Sequence, residues 1–316
     1  MKNKPLPSVD ILWNTITKTI RTAWNINNLH ENGIKNWLNN FTGEAQLSPI
    51  LSKDKAKQLE QQVALFLLNN FVYYNELEIK HLIKLMFEKY IHYLLIDNGD
   101  TDIEDSDIDQ IIKDSAFSPL GNKSESSSYM LYLFRQINEL SKRDFEEKNE
   151  SKNIVFVDDF SITGSQANWY INEYFKTNTY DKSKKYYVLL MVTTQDAIKK
   201  IKDNPHIRDV ISCIVMNDTS KVFSKKSIVF QGYSEDVKNC AKAMCEYYGE
   251  RIKTDEEGAT AFGFDEDGFL ISTYYNTPNN TLPIFWSEEN HWIPLFRRYN
   301  KKYNYDISYR LEGQYV

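Results

Sequence analysis

The stretch Ile154–Gln166 reads IVFVDDFSITGSQ, and its pattern indicates the fold. Four apolar residues form a run with the length and composition of a buried strand in a parallel sheet. Two acids follow at the end of the strand, then a short Thr-Gly-Ser turn and an amphipathic helix over Gln166–Phe175. Open α/β sheets bind their ligands at the carboxyl ends of such strands. The stretch therefore predicts a strand, a ligand-binding loop and a helix.

The segments downstream extend this pattern. Runs rich in β-forming residues recur at Tyr186–Val192, Val210–Met216 and Ile228–Phe230, and a helical segment, Asp196–Lys202, separates the first two. Strands that alternate with helices at this spacing are typical of βαβ units. A further helix is predicted over Glu235–Ile252. The fold class that follows is α/β, with a parallel-sheet core.

The N-terminal part has a different character. Residues 1–98 are predicted to be helical, because Leu77–Leu95 and the preceding segments place apolar residues at three- and four-residue intervals. Asn75 is the predicted N-cap of the last of these helices. The acidic residues 98–110 are interpreted as a solvated linker, which predicts a helical N-terminal region of residues 1–98 and an α/β domain of residues 110–316. A winged-helix-like adaptor that docks on DNA is the alternative for the N-terminal region, and the acidic composition argues against it.

Composition limits the classes of function. The formal net charge of −6 gives no basic footprint for nucleic acid over the whole surface and no polybasic membrane signal. A local cluster, Arg297–Arg298 with Lys301–Lys302, is the exception, and we interpret it as a solvated face. Three cysteines without CxxC spacing favour reduced thiols. Since no signal peptide and no apolar run of about 18 residues is present, we expect a cytoplasmic protein without membrane contact.

The loop after the predicted strand offers a ligand two kinds of partner. Backbone N–H groups of Thr163, Gly164 and Ser165 would converge on a phosphate at the start of the helix, and glycine lets the backbone approach closely. Asp158 and Asp159 would repel a phosphate, but carboxylates accept hydrogen bonds from the vicinal hydroxyls of a sugar. A sugar phosphate satisfies both halves of the loop. A metal site or a helix cap is the alternative for a strand that ends in two acids.

The same stretch resembles the signature with which type I phosphoribosyltransferases bind phosphoribosyl pyrophosphate (PRPP). The resemblance implies that Asp158 and Asp159 contact the ribose hydroxyls, directly or through Mg²⁺. It also implies a set of residues around the 5-phosphate: Ser161, Thr163, Gly164, Ser165 and Gln166. In that family pyrophosphate leaves the anomeric carbon through a transition state like an oxocarbenium ion, so the enzyme acts mainly by positioning and electrostatic stabilisation.

Departures from the family pattern limit which reactions are expected of this chain. Ile162 stands where purine-specific members carry an acid that handles a proton on the base, so purine salvage is not expected. Gln166 stands where many members have Thr or Ser. No arginine–glycine–glycine type pyrophosphate loop is present. Ser118–Ser128 is the positional candidate for that loop, with Lys123 as its cation, and a plain surface loop is the alternative.

A second resemblance covers more of the chain. WLNNF at Trp37–Phe41, NFVYY at Asn70–Tyr74, the DDF loop and NTPNNTLPIFW at Asn276–Trp286 resemble phosphoribosyltransferase-like proteins of bacterial conflict systems. Some of those proteins accompany the reverse transcriptases of retrons. The resemblance implies an antiviral-defence effector rather than a housekeeping enzyme. Its partner would be another defence protein, or a reverse transcriptase with its msDNA.

We call Asn276–Trp286 the hood segment. Two prolines fix its backbone, and several side chains carry amides or hydroxyls that can read a base edge or cap a sugar-phosphate pocket: Asn276, Asn279, Asn280 and Thr281. The alternative is a structural turn whose asparagines bond their own backbone.

Two hypotheses for function follow. The first is an enzyme that binds PRPP or a related ribosyl phosphate with Mg²⁺ and acts at the anomeric carbon. The second is a catalytically silent, nucleotide-sensing module that regulates a defence complex. The paired acids and the Thr-Gly turn favour the enzyme, whereas the missing base-handling acid and the weak pyrophosphate loop favour the sensor.

Overall fold

A computed structural model describes residues 4–298 except 27, 28, 30, 49, 99–103, 122–125, 142–149 and 267. The N-terminal part begins with helix α1, which continues into a π-helical turn, Ile20–Trp24. Its regular elements are α1 (Val9–Thr19), α2 (Glu31–Leu38), α3 (Lys53–Asn69), β1 (Val72–Tyr74) and α4 (Glu76–Asn98). The predicted cap of α4 is confirmed, because Asn75 Oδ1 accepts from the Glu78 N–H at 2.9 Å. Glu78 Oε2 in turn accepts from the Asn75 N–H at 2.8 Å. The helical prediction therefore holds for the described residues, with β1 as an addition.

The central sheet contains four parallel strands in the order β2-β3-β4-β5. Its elements and their connecting helices are α5 (Asp105–Lys113), β2 (Ser115–Pro119), α6 (Ser126–Ile137), β3 (Asn153–Ser161), α7 (Ser165–Thr177), β4 (Lys185–Thr194), α8 (Gln195–Lys202) and β5 (Asp209–Met216). Each pair of neighbouring strands is parallel. The predicted α/β class, the parallel sheet and three of the predicted strands are confirmed.

The C-terminal part returns to the N-terminal helices. It comprises α9 (Glu235–Ile252), β6 (Ala259–Thr260), β7 (Gly263–Phe264) and β8 (Ile271–Thr273). Strands β6 and β7 form a short hairpin, and β8 pairs in parallel with β1. The strand predicted at Ile228–Phe230 is wrong, because this segment consists of turns. Phe230 is buried in a core while Ile228 is exposed, so the apolar run marks a packed turn and not a sheet strand.

The sheet is buried on both faces. Val155 and Val157 of β3 pack in one core with α4 and α6, whereas Ile154 and Phe156 pack in another with α7 and α8. Successive side chains of a strand point to opposite faces, so a continuous apolar run is what a strand covered on both sides requires.

A third core, the aromatic core, joins the two ends of the chain. Helices α1 to α3 contribute apolar residues to it, and so do α9 and the segment that follows β8. Trp37 is fully buried, stacks on Phe285 with ring centroids 5.2 Å apart, and donates its indole N–H to Ile284 O at 2.7 Å. Helix α4 packs against the sheet instead. The domain limits at residues 98 and 110 stay a prediction, and the packing of the described residues crosses them.

Two further observations concern the thiols and the length of the helices. Cys213, Cys240 and Cys245 are free thiols, and burial raises the pKa of the Cys213 thiol to about 11. In the described part of the chain, no helix has both the length and the apolar character that a bilayer crossing requires.

Candidate functional site

A cavity of about 380 Å³ opens at the carboxyl end of β3. Its lining includes the loop after β3, with Asp158, Asp159 and Gly164, and Asn276–Asn280 of the hood segment. This volume lies in the range of small-molecule sites, and the position is where open parallel sheets bind ligands.

The loop has a conformation that its residues dictate locally. Gly164 has a φ of 71° and precedes α7, and a Cβ at this position would lie 3.0 Å from Ala197 O. Glycine is therefore required both for the left-handed backbone and for the close approach of α8. Thr163 Oγ1 accepts from the Ser165 N–H at 3.3 Å. The main-chain N–H groups of Thr163 and Gly164 donate to no other described residue, so they are available to a ligand at the start of α7.

Two threonines at the end of β4 hold this loop against the sheet. Thr193 Oγ1 donates to Ser161 O at 2.6 Å, and Thr194 Oγ1 donates to Ile162 O at 2.7 Å. Thr194 Oγ1 also accepts from the Ala197 N–H at 3.0 Å and so caps α8. The cavity wall is thus tied to the neighbouring strand.

The two acids differ in their surroundings. Asp158 is half-buried, and its Oδ1 accepts from the Asp159 N–H at 2.9 Å. Asp159 is only 2% exposed, and its Oδ1 accepts from Ser126 Oγ at 3.2 Å and from the Phe160 N–H at 2.9 Å. Asp159 Oδ2 is buried and has no hydrogen-bond partner among the described residues. The Tyr275 hydroxyl interacts with the same carboxylate, and Oδ2 offers a further acceptor to a ligand at the cavity.

A tyrosine borders these acids. Burial raises the pKa of Tyr275 well above its usual value, and the charge of Asp159, the close approach of the hydroxyl to that carboxylate and the charge of Asp158 raise it further. The Tyr275 hydroxyl therefore stays protonated at neutral pH. Its ring packs edge-on against Tyr129 at 5.2 Å, which restricts its movement.

The hood segment combines structural and available polar groups. Thr281 is buried and donates to Ile271 O at 2.7 Å, and Asn280 Nδ2 donates to Phe264 O at 3.1 Å. These bonds are those of a structural turn. The Asn279 side chain lines the cavity and makes no hydrogen bond to any described residue, so its amide is available to a ligand.

Most of the sequence-predicted site residues line this one cavity: Asp158, Asp159, Ser161, Thr163, Gly164, Gln166, Asn276, Asn279 and Asn280. Two do not. Thr281 is turned into the protein, and Ser165 Oγ accepts from Lys200 Nζ at 2.7 Å behind the loop. Within the candidate pyrophosphate loop, Ser126 and Ser127 line the cavity, while Lys123 lies outside the described residues.

Sequence reasoning missed the charged residues of the far wall. Glu256, Glu257 and Arg298 line the cavity beside Phe264. The interpretation of Arg298 as part of a solvated face is wrong, because its side chain is only 17% exposed and its guanidinium lies 4.8 Å from the Trp286 ring centre. Burial lowers the pKa of Arg298, and the Glu256 carboxylate opposes this shift. No local sequence signal could have revealed this contact, because it depends on how the segment after the hood packs on Trp286.

The fold and the site together define a phosphoribosyltransferase-like protein: a parallel α/β sheet whose strand-end acids, glycine turn and hood surround one cavity. The chain belongs to the PRTase-CE family, whose model matches residues 34–298. The predicted resemblance to phosphoribosyltransferases is confirmed at this level. No curated protein and no solved structure matches the chain.

Proposed function

We propose that this protein is a phosphoribosyltransferase-like effector of antiviral defence, which binds PRPP or a related ribosyl phosphate with Mg²⁺ and acts at the anomeric carbon. The observation that supports this proposal is the single cavity between the acidic loop after β3 and the hood segment. One wall offers carboxylates and main-chain N–H groups, and the other offers amides. A sugar phosphate needs both kinds of partner.

Each part of the cavity has a role in this proposal. Asp158 and Asp159 accept hydrogen bonds from the ribose hydroxyls, and the N–H groups at Thr163 and Gly164 bind the 5-phosphate. Asn279 contacts the base or acceptor. These contacts hold the anomeric carbon in place, so the chain contributes mainly positioning and electrostatic stabilisation.

The residues present fit a magnesium ion that the ligand helps to bind. No group of three or more His, Cys, Asp or Glu side chains with metal-site geometry occurs among the described residues. Mg²⁺ in phosphate chemistry is commonly held by one or two carboxylates plus water and substrate phosphates. Asp158 and Asp159, with the unpartnered Oδ2 of Asp159, provide such a pair. The ion, when bound, neutralises negative charge on the pyrophosphate.

The double substitution Asp158→Asn with Asp159→Asn tests this assignment. We expect affinity for PRPP with Mg²⁺ to fall at least about a hundredfold, because two carboxylates lose their hydroxyl and cation contacts. Isothermal titration calorimetry measures the affinity, and thermal unfolding checks the fold. The control is Asp203→Asn at the exposed end of α8, which changes charge away from the cavity. Unchanged affinity in the double variant would show that the ligand binds elsewhere.

A nucleotide-sensing module without turnover is the second candidate, and one observation favours it. Ile162 is buried at the position where a base-handling acid would stand, so the described loop offers no proton carrier there. Incubation with PRPP and a panel of bases, followed by mass spectrometry, separates the candidates. Released pyrophosphate supports the enzyme, whereas tight binding without any product supports the sensor.

The defence role rests on the resemblance of four motifs to conflict-system proteins. In this proposal a second defence protein, or a reverse transcriptase with its msDNA, restrains the effector. Co-expression with the neighbouring genes, followed by phage plating, tests the role. Protection that persists in the Asp158→Asn/Asp159→Asn variant would contradict it.

A further inference from the structure

The described wall of the cavity carries an unusual balance of charge. Four carboxylates line it, those of Asp158, Asp159, Glu256 and Glu257, against the single guanidinium of Arg298. PRPP carries phosphate groups at both ends, and the loop after β3 accounts for only the 5-phosphate end. The pyrophosphate end needs positive charge, and within the described lining residues Arg298 is its one cationic source.

Arg298 is placed for a ligand rather than for a structural ion pair. Its guanidinium lies against Trp286, which fixes its plane by a cation–π contact at 4.8 Å. Its nearest carboxylate oxygen is Glu256 Oε2 at 3.8 Å from Nη2, which is too long for a hydrogen bond. No hydrogen bond from its guanidinium to a described residue is present. Burying most of a guanidinium without hydrogen bonds costs free energy, unless a bound anion accepts those bonds.

Glu256 is more exposed than Arg298. Its side chain is 47% exposed, and it follows α9 in the connection to the β6–β7 hairpin. Its carboxylate stands near the position that an anionic ligand of Arg298 would take. A carboxylate and a phosphate make the same kind of contact with a guanidinium fork, so the two would compete for Arg298.

We propose that Arg298 binds the pyrophosphate end of the ligand and that Glu256 is an internal competitor, which the pyrophosphate displaces. This inference rests on the proposed function, because it assumes that a ribosyl phosphate occupies the cavity. It supplies the positive charge that the chain's missing arginine–glycine–glycine loop would otherwise provide. It also makes binding selective for ligands that carry the second phosphate-bearing end.

The test compares two ligands that differ only at that end, PRPP and ribose 5-phosphate, each titrated with Mg²⁺ by calorimetry. In Arg298→Met we expect PRPP affinity to fall at least about tenfold, while ribose 5-phosphate affinity stays within about twofold. Arg298→Lys keeps the charge and loses the planar fork, so its PRPP affinity should lie between those of the wild type and Arg298→Met. If Arg298→Met does not fold, the lysine variant and the Glu256 variants carry the test.

The competitor is tested by Glu256→Gln, which should raise PRPP affinity about two- to fivefold without changing ribose 5-phosphate affinity. Glu257→Gln removes the same charge from the same wall, but this residue makes no ion pair with Arg298. An equal gain in both glutamine variants would indicate general electrostatics and would overturn the competition.

The outcomes separate this inference from the proposed function. If the wild-type protein binds neither ligand, the proposed function fails and this inference fails with it. If the wild type binds both but Arg298→Met and Arg298→Lys bind them as the wild type does, only this inference fails. A proportional loss of both ligands in these variants would show a structural role for Arg298 and would equally overturn it.

Discussion

The loop after β3 and the hood segment both line one cavity, but their conformations depend on contacts at different distances along the chain. The loop is held by Gly164, by Thr163 and by two threonines of the next strand, 32 residues away. The hood segment is held by short-range bonds, such as that from Thr281 Oγ1 to Ile271 O, and its later part also by Trp37, whose indole N–H reaches Ile284 O across 247 residues. The loop is therefore a product of one βαβ unit, whereas the hood segment combines short-range bonds with packing on helices at the other end of the chain.

This difference predicts which of the two segments is disturbed first when core packing is lost. The loop shares the sheet's two cores, and its geometry follows from neighbouring elements. The hood shares the aromatic core, where Trp37, Phe41 and Phe71 pack against Phe285 and Trp292. Loss of N-terminal packing should disturb the amide wall while the acidic wall persists. Three substitutions sharpen this comparison.

The largest effect is expected from Trp37→Ala. Removing a fully buried indole from the aromatic core should lower the free energy of unfolding by about 3–5 kcal/mol, as urea titration measures. Trp37→Phe is the matched control. It retains a stacking ring and loses one hydrogen bond to Ile284 O, which also accepts from the Trp292 indole at 3.0 Å, so it should cost only about 1–2 kcal/mol. A loss below about 1 kcal/mol in Trp37→Ala would contradict the long-range anchoring of the hood.

An intermediate effect is expected from Gly164→Ala. The left-handed backbone and a Cβ only 3.0 Å from Ala197 O should together cost about 2–3 kcal/mol and should weaken ribose 5-phosphate binding at least about tenfold. Gly232→Ala isolates the backbone term, since Gly232 has a φ of +86° but its nearest neighbour would be 3.9 Å away. That control should cost about 1 kcal/mol and leave binding intact. Equal losses in stability and in binding for the two variants would rule out the close-packing explanation.

The smallest effect is expected from Thr194→Val, which removes the cap of α8 and the bond to Ile162 O. We expect a loss of about 1 kcal/mol and a reduction of ribose 5-phosphate affinity by about threefold, because the loop is less firmly tied to β4. Thr177→Val, at the exposed end of α7, removes a hydroxyl that is bonded only within its own helix and to Asn178, the residue that follows it. It should change stability by less than about 0.5 kcal/mol. If Thr194→Val changes stability no more than this control does, the bond from Thr194 to Ile162 O does not contribute to the site.

Local patterns predicted the parts of the molecule that depend on neighbours in the chain. The Asn75–Glu78 capping pair, the β3, β4 and β5 strands and the helix over Glu235–Ile252 all follow from residues within one element. The placement of the acids at the end of β3 follows for the same reason. β2 was missed because Ser115–Pro119 is short and ends in proline, so only its pairing with β3 makes it a strand. The strand predicted around Phe230 is wrong for the converse reason, because an apolar turn that is buried in a core has the same residue pattern as a strand.

The amino-acid sequence alone thus determined the α/β class, the acidic glycine turn and the family resemblance, because these depend on side-chain periodicity and on residues a few positions apart. Tertiary structure alone decided that the hood and the acids line one cavity, that Thr281 turns away from it, and that Arg298 lies mostly buried beside Glu256 and Trp286. The physical reason is that burial and charge pairing depend on which distant surfaces pack together. A basic pair near the end of a chain carries no local sign of the tryptophan ring that covers it.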